Sequence, residues 1–189
     1  ASPQSGFKTV KDIVDAKRPI KYATTGVGTG SQLSQQLLFA QANVTATAVP
    51  FNGGAPALTA VLGGQVQFAC NNAPTVIPQV KAGTLRPLFV TPTRLADMPE
   101  APSGTEAGFP DMNKIVGWTA LMGPPGLPKE IVDRWTDVFA RLAKDPDWQQ
   151  GNARIGGIAA IRSPAETERF VREQYELYDK LIGTLGIRQ

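Results

Sequence analysis

Between Ile20 and Gly83 the chain repeats one pattern three times: an apolar run, a loop of small polar residues, then a helical stretch. The first unit is "IKYATTG" followed by "VGTGSQLSQQLLFAQAN". The second is "TATAVPF" followed by "NGGAPALTAVLGG", and the third is "VQFACNN" followed by "APTVIPQVKAG". Strands alternating with helices predict right-handed βαβ units and a largely parallel sheet, hence an α/β fold. Gly63, Gly64 and Gly83 stand where glycine follows a helix end. A fourth strand is expected in "LRPLFVTP", residues 85–92, and a short entry helix in "TVKDIVDAK", residues 9–17.

The texture changes after Thr91. A proline-rich loop runs to Pro110, and "IVGWTALMGPPGLP" reads as an extended crossing segment, which places a boundary near residue 117. Beyond it the chain is helical and charged. Ile131, Trp135, Val138 and Leu142 share one helix face. Ser163-Pro164-Ala165-Glu166 joins a capping box to a proline at the first helical position. Val171, Tyr175, Tyr178 and Ile182 are expected to form the buried stripe of the last helix.

Charge is unevenly spread. Residues 22–80 are all uncharged, and the wider window 16–96 holds six bases and no acid. An anion meets no repulsion from that segment. The chain has no histidine, which removes Ser-His and Cys-His catalysis and the commonest transition-metal ligand. Cys70 is the only cysteine, so neither an intrachain disulfide nor a multi-cysteine zinc site is available, and its thiol reads as core. No metal or cofactor is expected. A net charge of +3 without an aromatic-interleaved basic cluster does not indicate nucleic acid. No apolar run approaches the roughly 20 residues of a transmembrane helix. The opening "ASPQSGFKTVKDIV" lacks the basic and apolar regions of a signal peptide, so an export signal would lie upstream or have been removed.

The glycines of "GVGTGSQ" suggest a nucleotide loop, but the spacing does not fit. The third glycine comes one residue too early for a dinucleotide fingerprint, and no acid follows for more than 60 residues. A P-loop lysine is missing as well. What those motifs share remains: a helix N-terminus with unpaired N–H groups that favours an anion. Three such ends follow one another at "GVGTGSQ", "FNGGAPA" and "CNNAPT", which a parallel sheet gathers at its carboxyl edge. Thr29, Ser31, Gln32, Asn52, Asn71 and Asn72 are their neutral donors. Such a set suits a small carboxylate held by amides and hydroxyls rather than by a salt bridge. Glu106, Asp111 and Glu130 are not spaced as an acid–base pair, so an enzyme is not expected.

In order, these segments resemble the substrate-binding receptors of tripartite tricarboxylate transporters, the Bug receptors. "YATTGVGTGSQL" resembles the family's G-x-G-S-x-x-H-L loop, and "VPFNGGAPALTAVLGGQVQF" resembles its V-P-Y-K-G-G-A-P-A-L segment with L-G-G-Q-V-D. "IPQVKAGTLRPLFVT", "EAGFP", "GWTALMGPPGLPKEIVDRW" and "SPAETERFV" also fall in family order. The resemblance implies a periplasmic-binding-protein-like fold of type II and a periplasmic, non-catalytic receptor. Two α/β lobes would close on a small carboxylate and deliver it to the membrane components of the transporter. The implied ligand-binding residues are Gly28, Thr29, Gly30, Ser31 and Gln32, then Asn52, Gly53, Gly54 and Ala55, then Asn72 and Ala73; Trp118 falls in the hinge region.

Two departures matter. Gln32 replaces the family's frequent histidine and Asn52 its frequent lysine, which removes a titratable group and a cation. The family's N-terminal P-F-x-A-G-G and S-x-D motifs are also missing. Residues 1–19 would then be a crossover from the first lobe, 20–117 a complete second lobe, and 118–189 the crossing strand and C-terminal helices of an incomplete first lobe. A truncated or proteolysed product, or a longer protein, is expected. The stripes through Trp135 and Tyr178 would then expose an apolar patch, which favours a dimer or exchange of the C-terminal helices, and ligand binding would be weak. An aliphatic acid is favoured. A ligand-sensing domain of a transcription regulator is the alternative with the same architecture.

Overall fold

The computed structural model describes residues 1–154 and 157–187. The chain forms two compact units, one of Ala1–Gly117 with Lys180–Gln189 and one of Trp118–Asp179.

In the first unit a short helix, α1 (Val10–Val14), starts on a capping box. The Thr9 hydroxyl accepts the Asp12 N–H, and the Asp12 carboxylate accepts the Thr9 N–H at 2.8 Å. The three expected units follow as β1 (Ile20–Thr24), α2 (Gly30–Ala42), β2 (Ala46–Pro50), α3 (Gly54–Leu62), β3 (Phe68–Ala69) and α4 (Ala73–Lys81). The sheet is parallel in the order β2-β1-β3, with Tyr22 opposite both Ala48 and Phe68.

Successive residues of the central strand face opposite cores, as the pleat requires. The Tyr22 ring lies 4.8 Å from Phe39 of α2 and stacks 6.2 Å from Phe68. Ala23 packs instead with Ala57, Ala60 and Val61 of α3. The chain steps from β1 outward to β2 and then returns past β1 to β3. Right-handed crossovers therefore put α2 and α3 on opposite faces. Full burial of Tyr22, Leu33, Leu38 and Phe39 stabilises this arrangement by about 1.5–3 kcal/mol per side chain.

The expected fourth strand does not form, so the sheet of this unit has three strands. Residues 85–92 make only one parallel bridge, Val90 with Ser103. Their backbone groups are committed elsewhere: Arg86 exchanges both hydrogen bonds with Ala1, Val90 donates to Pro102, and Pro87 has no N–H. The third strand is shorter than the apolar run suggests, because the Cys70 carbonyl turns to a side chain described below. No strand is assigned within residues 115–128.

The second unit contains α5 (Lys129–Leu142) and α6 (Pro146–Arg154), and α7 (Pro164–Leu185) begins in it. The Ser163 box is formed: Glu166 Oε2 accepts the Ser163 N–H at 2.9 Å, and Ser163 Oγ accepts the Glu166 N–H. The apolar face of α5 is only partly covered by the described residues. Ile131 is exposed and Trp135 is 49% exposed, while Val138 and Leu142 are half-buried. The stripe of α7 also differs from the expected one. Gln174 is its buried centre, flanked by half-buried Val171, Leu177, Tyr178, Leu181 and Ile182, and Tyr175 is 72% exposed. One residue is about 100° of helix rotation, so a seam running through Gln174 and Leu177 turns Tyr175 outward.

Candidate functional site

The three loops at the carboxyl ends of β1, β2 and β3 are tied to one another. In the first, Thr29 Oγ1 donates to the Gly26 carbonyl at 2.8 Å, and Gln32 reaches back so that its Oε1 accepts the Gly28 N–H at 2.7 Å. Ser31 points across to the third loop. Its hydroxyl donates to the Cys70 carbonyl at 2.7 Å and accepts the Thr25 N–H at 3.4 Å. The Thr29, Ser31 and Gln32 side chains thus shape the loop from inside the protein.

The second loop is fixed to the first by Gly53, whose N–H donates to the Thr25 carbonyl at 3.2 Å and the Phe51 carbonyl at 2.9 Å. Gly53 adopts φ +103° and ψ 179°, a region only glycine occupies readily. The third loop is fixed to the second by Asn71, whose Nδ2 donates to the Gly54 carbonyl at 3.0 Å while its Oδ1 accepts the Asn72 N–H at 3.0 Å. Asn72 is exposed and caps α4 with its backbone. A Cβ on Gly117 would stand 2.5 Å from Asn72 Oδ1, so the start of the crossing segment runs close beside it.

These ties leave a set of backbone donors without acceptors. Among the described residues, none accepts the N–H of Gly30, Ser31 or Gln32 at the start of α2, of Gly54 or Ala55 at the start of α3, or of Ala73 at the start of α4. Pro56 and Pro74 have no N–H, and the first in-helix bonds begin at Leu33, Ala57 and Thr75. Six donors at three positive helix ends therefore stand in loops bound directly to one another. No ionisable side chain occurs among these loops except Cys70, whose thiol burial pushes upward against a Ser34 hydrogen bond. The arrangement can hold an oxyanion; it supplies no acid or base for proton transfer.

The structure thus brings together Gly28, Thr29, Gly30, Ser31, Gln32, Gly53, Gly54, Ala55, Asn72 and Ala73 through adjoining loops, with Asn52 exposed beside Gly53. Trp118 opens the second unit and packs edge-on against Phe170 at 5.7 Å. Sequence reasoning missed the bridging geometry of Asn71 and the roles of Thr25, the Cys70 carbonyl and Gly117. A second asparagine directly after a strand was the one visible signal. Among the described residues there is no cluster of three His, Cys, Asp or Glu side chains fit for a metal, and no helix long and apolar enough to cross a membrane.

Comparison with known proteins gives a consistent picture. The family model described as "Tripartite tricarboxylate transporter family receptor" matches residues 1–187. A UPF0065 protein from the TAR-I ttuE-ttuC' intergenic region of Agrobacterium vitis is 27% identical over 187 residues, covering 95% of this chain and 54% of the relative. A solved periplasmic transporter superposes with a TM-score of 0.88 at 26% identity, over 99% of this chain and 64% of that one. An R. palustris protein solved with adipate gives 0.86 at 28% identity, over 98% and 64%. The chain thus spans about half the length of the curated relatives it matches.

Proposed function

Because the chain belongs to the tripartite tricarboxylate transporter receptor family, we propose that it captures a small carboxylate for delivery to the membrane components of such a transporter, in the periplasm. One carboxylate group is held at the carboxyl edge of the sheet by residues 28–32, 52–55 and 72–73. In this reading residues 1–19 are a crossover from a first lobe, 20–117 form the second lobe, and 118–189 supply helices to the first, with Trp118 in the hinge region. The lobes close on the ligand, and no catalysis is involved. The family match does not favour the regulator reading. Dimerisation or exchange of the C-terminal helices has no support in the structure or the relatives and forms no part of this reading.

The observation that carries the proposal is the set of six N–H groups, unpartnered among the described residues, at three helix starts within an acid-free stretch. An anion at one helix N-terminus gains about 0.3–1 kcal/mol when exposed and up to about 2 when partly buried, so three ends together reach useful affinity. Isothermal titration with adipate and a panel of aliphatic mono-, di- and tricarboxylates tests it, together with amide NMR shifts. Saturable binding with the largest shifts at Gly30–Gln32, Gly54, Ala55 and Ala73 is expected. Absence of saturable binding across the panel would overturn the reading.

A further inference from the structure

Residues 70–72 touch the starts of all three helices. The Cys70 carbonyl takes the Ser31 hydroxyl from α2, the Asn71 carboxamide takes the Gly54 carbonyl from α3, and the Asn72 N–H that leads into α4 is itself held by Asn71 Oδ1. Asn71 uses both ends of its side chain, one as donor and one as acceptor, on two different loops. Neither aspartate, with no donor, nor leucine, with no polar atom, can do this, and glutamine is one methylene too long.

Gly54 is the complement of that side chain. A Cβ built there would lie 2.7 Å from Asn71 Oδ1 and 3.0 Å from Asn71 Nδ2. Its backbone is not in the left-handed region, so only the space taken by Asn71 bars a larger residue. The two glycines of the second loop therefore have separate causes: conformation at Gly53 and room for Asn71 at Gly54.

We propose that Asn71 is a positioning residue for the carboxylate site: it fixes the α3 and α4 N-termini relative to each other, so that the Gly54, Ala55 and Ala73 N–H groups meet one ligand. This rests on the carboxylate-binding reading above. It adds a residue that makes no ligand contact yet sets the grip, and it accounts for Gly54 as that residue's steric partner.

The test combines two readouts on the protein and its Asn71→Ala, Gly54→Ala and doubly substituted forms. Hydrogen exchange of the apo proteins reports the tie itself, and titration with adipate, alongside the carboxylate panel, reports its consequence. Asn71→Ala is expected to speed exchange at Gly54–Ala57 and to weaken binding about tenfold, as loss of a hydrogen-bonded bridge does. Gly54→Ala approaches the same contact from the other side. It weakens binding alone, but adds no further loss in the Asn71→Ala background, because the clashing side chain is gone. Additive losses, unchanged exchange, or faster exchange with unchanged affinity would each overturn the proposal. If the unsubstituted protein binds no carboxylate, the functional reading fails and the positioning role with it, and the exchange data still report whether the tie exists.

Discussion

Replacing Gly53 by alanine separates backbone strain from crowding at the three sheet-edge loops. At φ +103° and ψ 179° an alanine is expected to cost roughly 1–3 kcal/mol. A Cβ there meets nothing within 4 Å, so steric overlap contributes nothing and the penalty is conformational. For a chain of this length each kcal/mol lowers Tm by about 2–4 °C, so a fall of about 2–12 °C is expected. The backbone can escape the strain only by giving up the Gly53 N–H bonds to Thr25 and Phe51, which swings the Gly54 and Ala55 N–H groups away. Whatever part of the strain is escaped in this way is lost no longer from stability but from carboxylate affinity, by up to roughly five- to 150-fold if all of it is, so the two losses together make up the roughly 1–3 kcal/mol. Urea unfolding and isothermal titration measure the two effects. Gly64→Ala is the control: Gly64 has φ +71°, a Cβ there also meets open space, and it follows the far end of α3. It should lose about 1–2 kcal/mol of stability with unchanged affinity. The reasoning is refuted if Gly53→Ala stays within about 0.5 kcal/mol of the parent, as an ordinary surface change does, with unchanged affinity, or if both variants lose affinity equally.

Three further outcomes follow from the same geometry. Ser31→Ala removes the donor to the Cys70 carbonyl and should lower stability by about 1 kcal/mol in urea unfolding while weakening carboxylate binding; no change in either would mean that this tie between loops is idle. Glu106 is held down to about 2 by the Ser103 N–H and then by the Arg94 guanidinium. Its folded value lies below its unfolded one, so it contributes stability that is present above the ordinary carboxylate range and is lost as pH falls toward about 2. Glu106→Gln should therefore flatten the acid limb of the stability curve, and an unchanged slope would contradict the pairing. With no histidine in the chain and the Cys70 thiol pushed upward, affinity for an ionised aliphatic carboxylate should stay within about twofold from about pH 6 to about pH 8. A titration step in that window would refute it.

Local signals survived into the structure wherever the chain's own neighbours decide the outcome. The three strand–loop–helix units, the helix stops at Gly63 and Gly83 and the Ser163–Glu166 box depend on residues at most a few positions apart. Pairing choices were not legible. The run 85–92 has strand composition, yet Arg86 pairs with a residue 85 positions away. The α7 seam misled because aromatic character suggests burial, whereas the phase set by Leu177 and Leu181 buries Gln174 and exposes Tyr175. At the site, sequence located the donors by type. It did not reveal that Thr29 and Gln32 spend their side chains on their own loop and Ser31 its hydroxyl on the third, leaving backbone N–H groups as the donors without acceptors among the described residues, because a side chain's partner is a tertiary fact.

The five residues of β1 carry two kinds of information at once. Tyr22 must enter the aromatic cluster and Ala23 the small-residue layer against α3, and a slip of one position would exchange them, driving a phenol ring among alanines. The same slip would carry Thr25 out of reach of the Gly53 N–H and the Ser31 hydroxyl. Proofreading of the fold and alignment of the grip are thus one event. A misregistered chain cannot keep its fold while losing only the proposed carboxylate site, since the error that misaligns these loops also ruins the core. Substitutions at the four buried positions of β1 should accordingly show as lost stability before they show at the proposed site, leaving the loop residues beyond Thr24 as the ground on which its specificity can change.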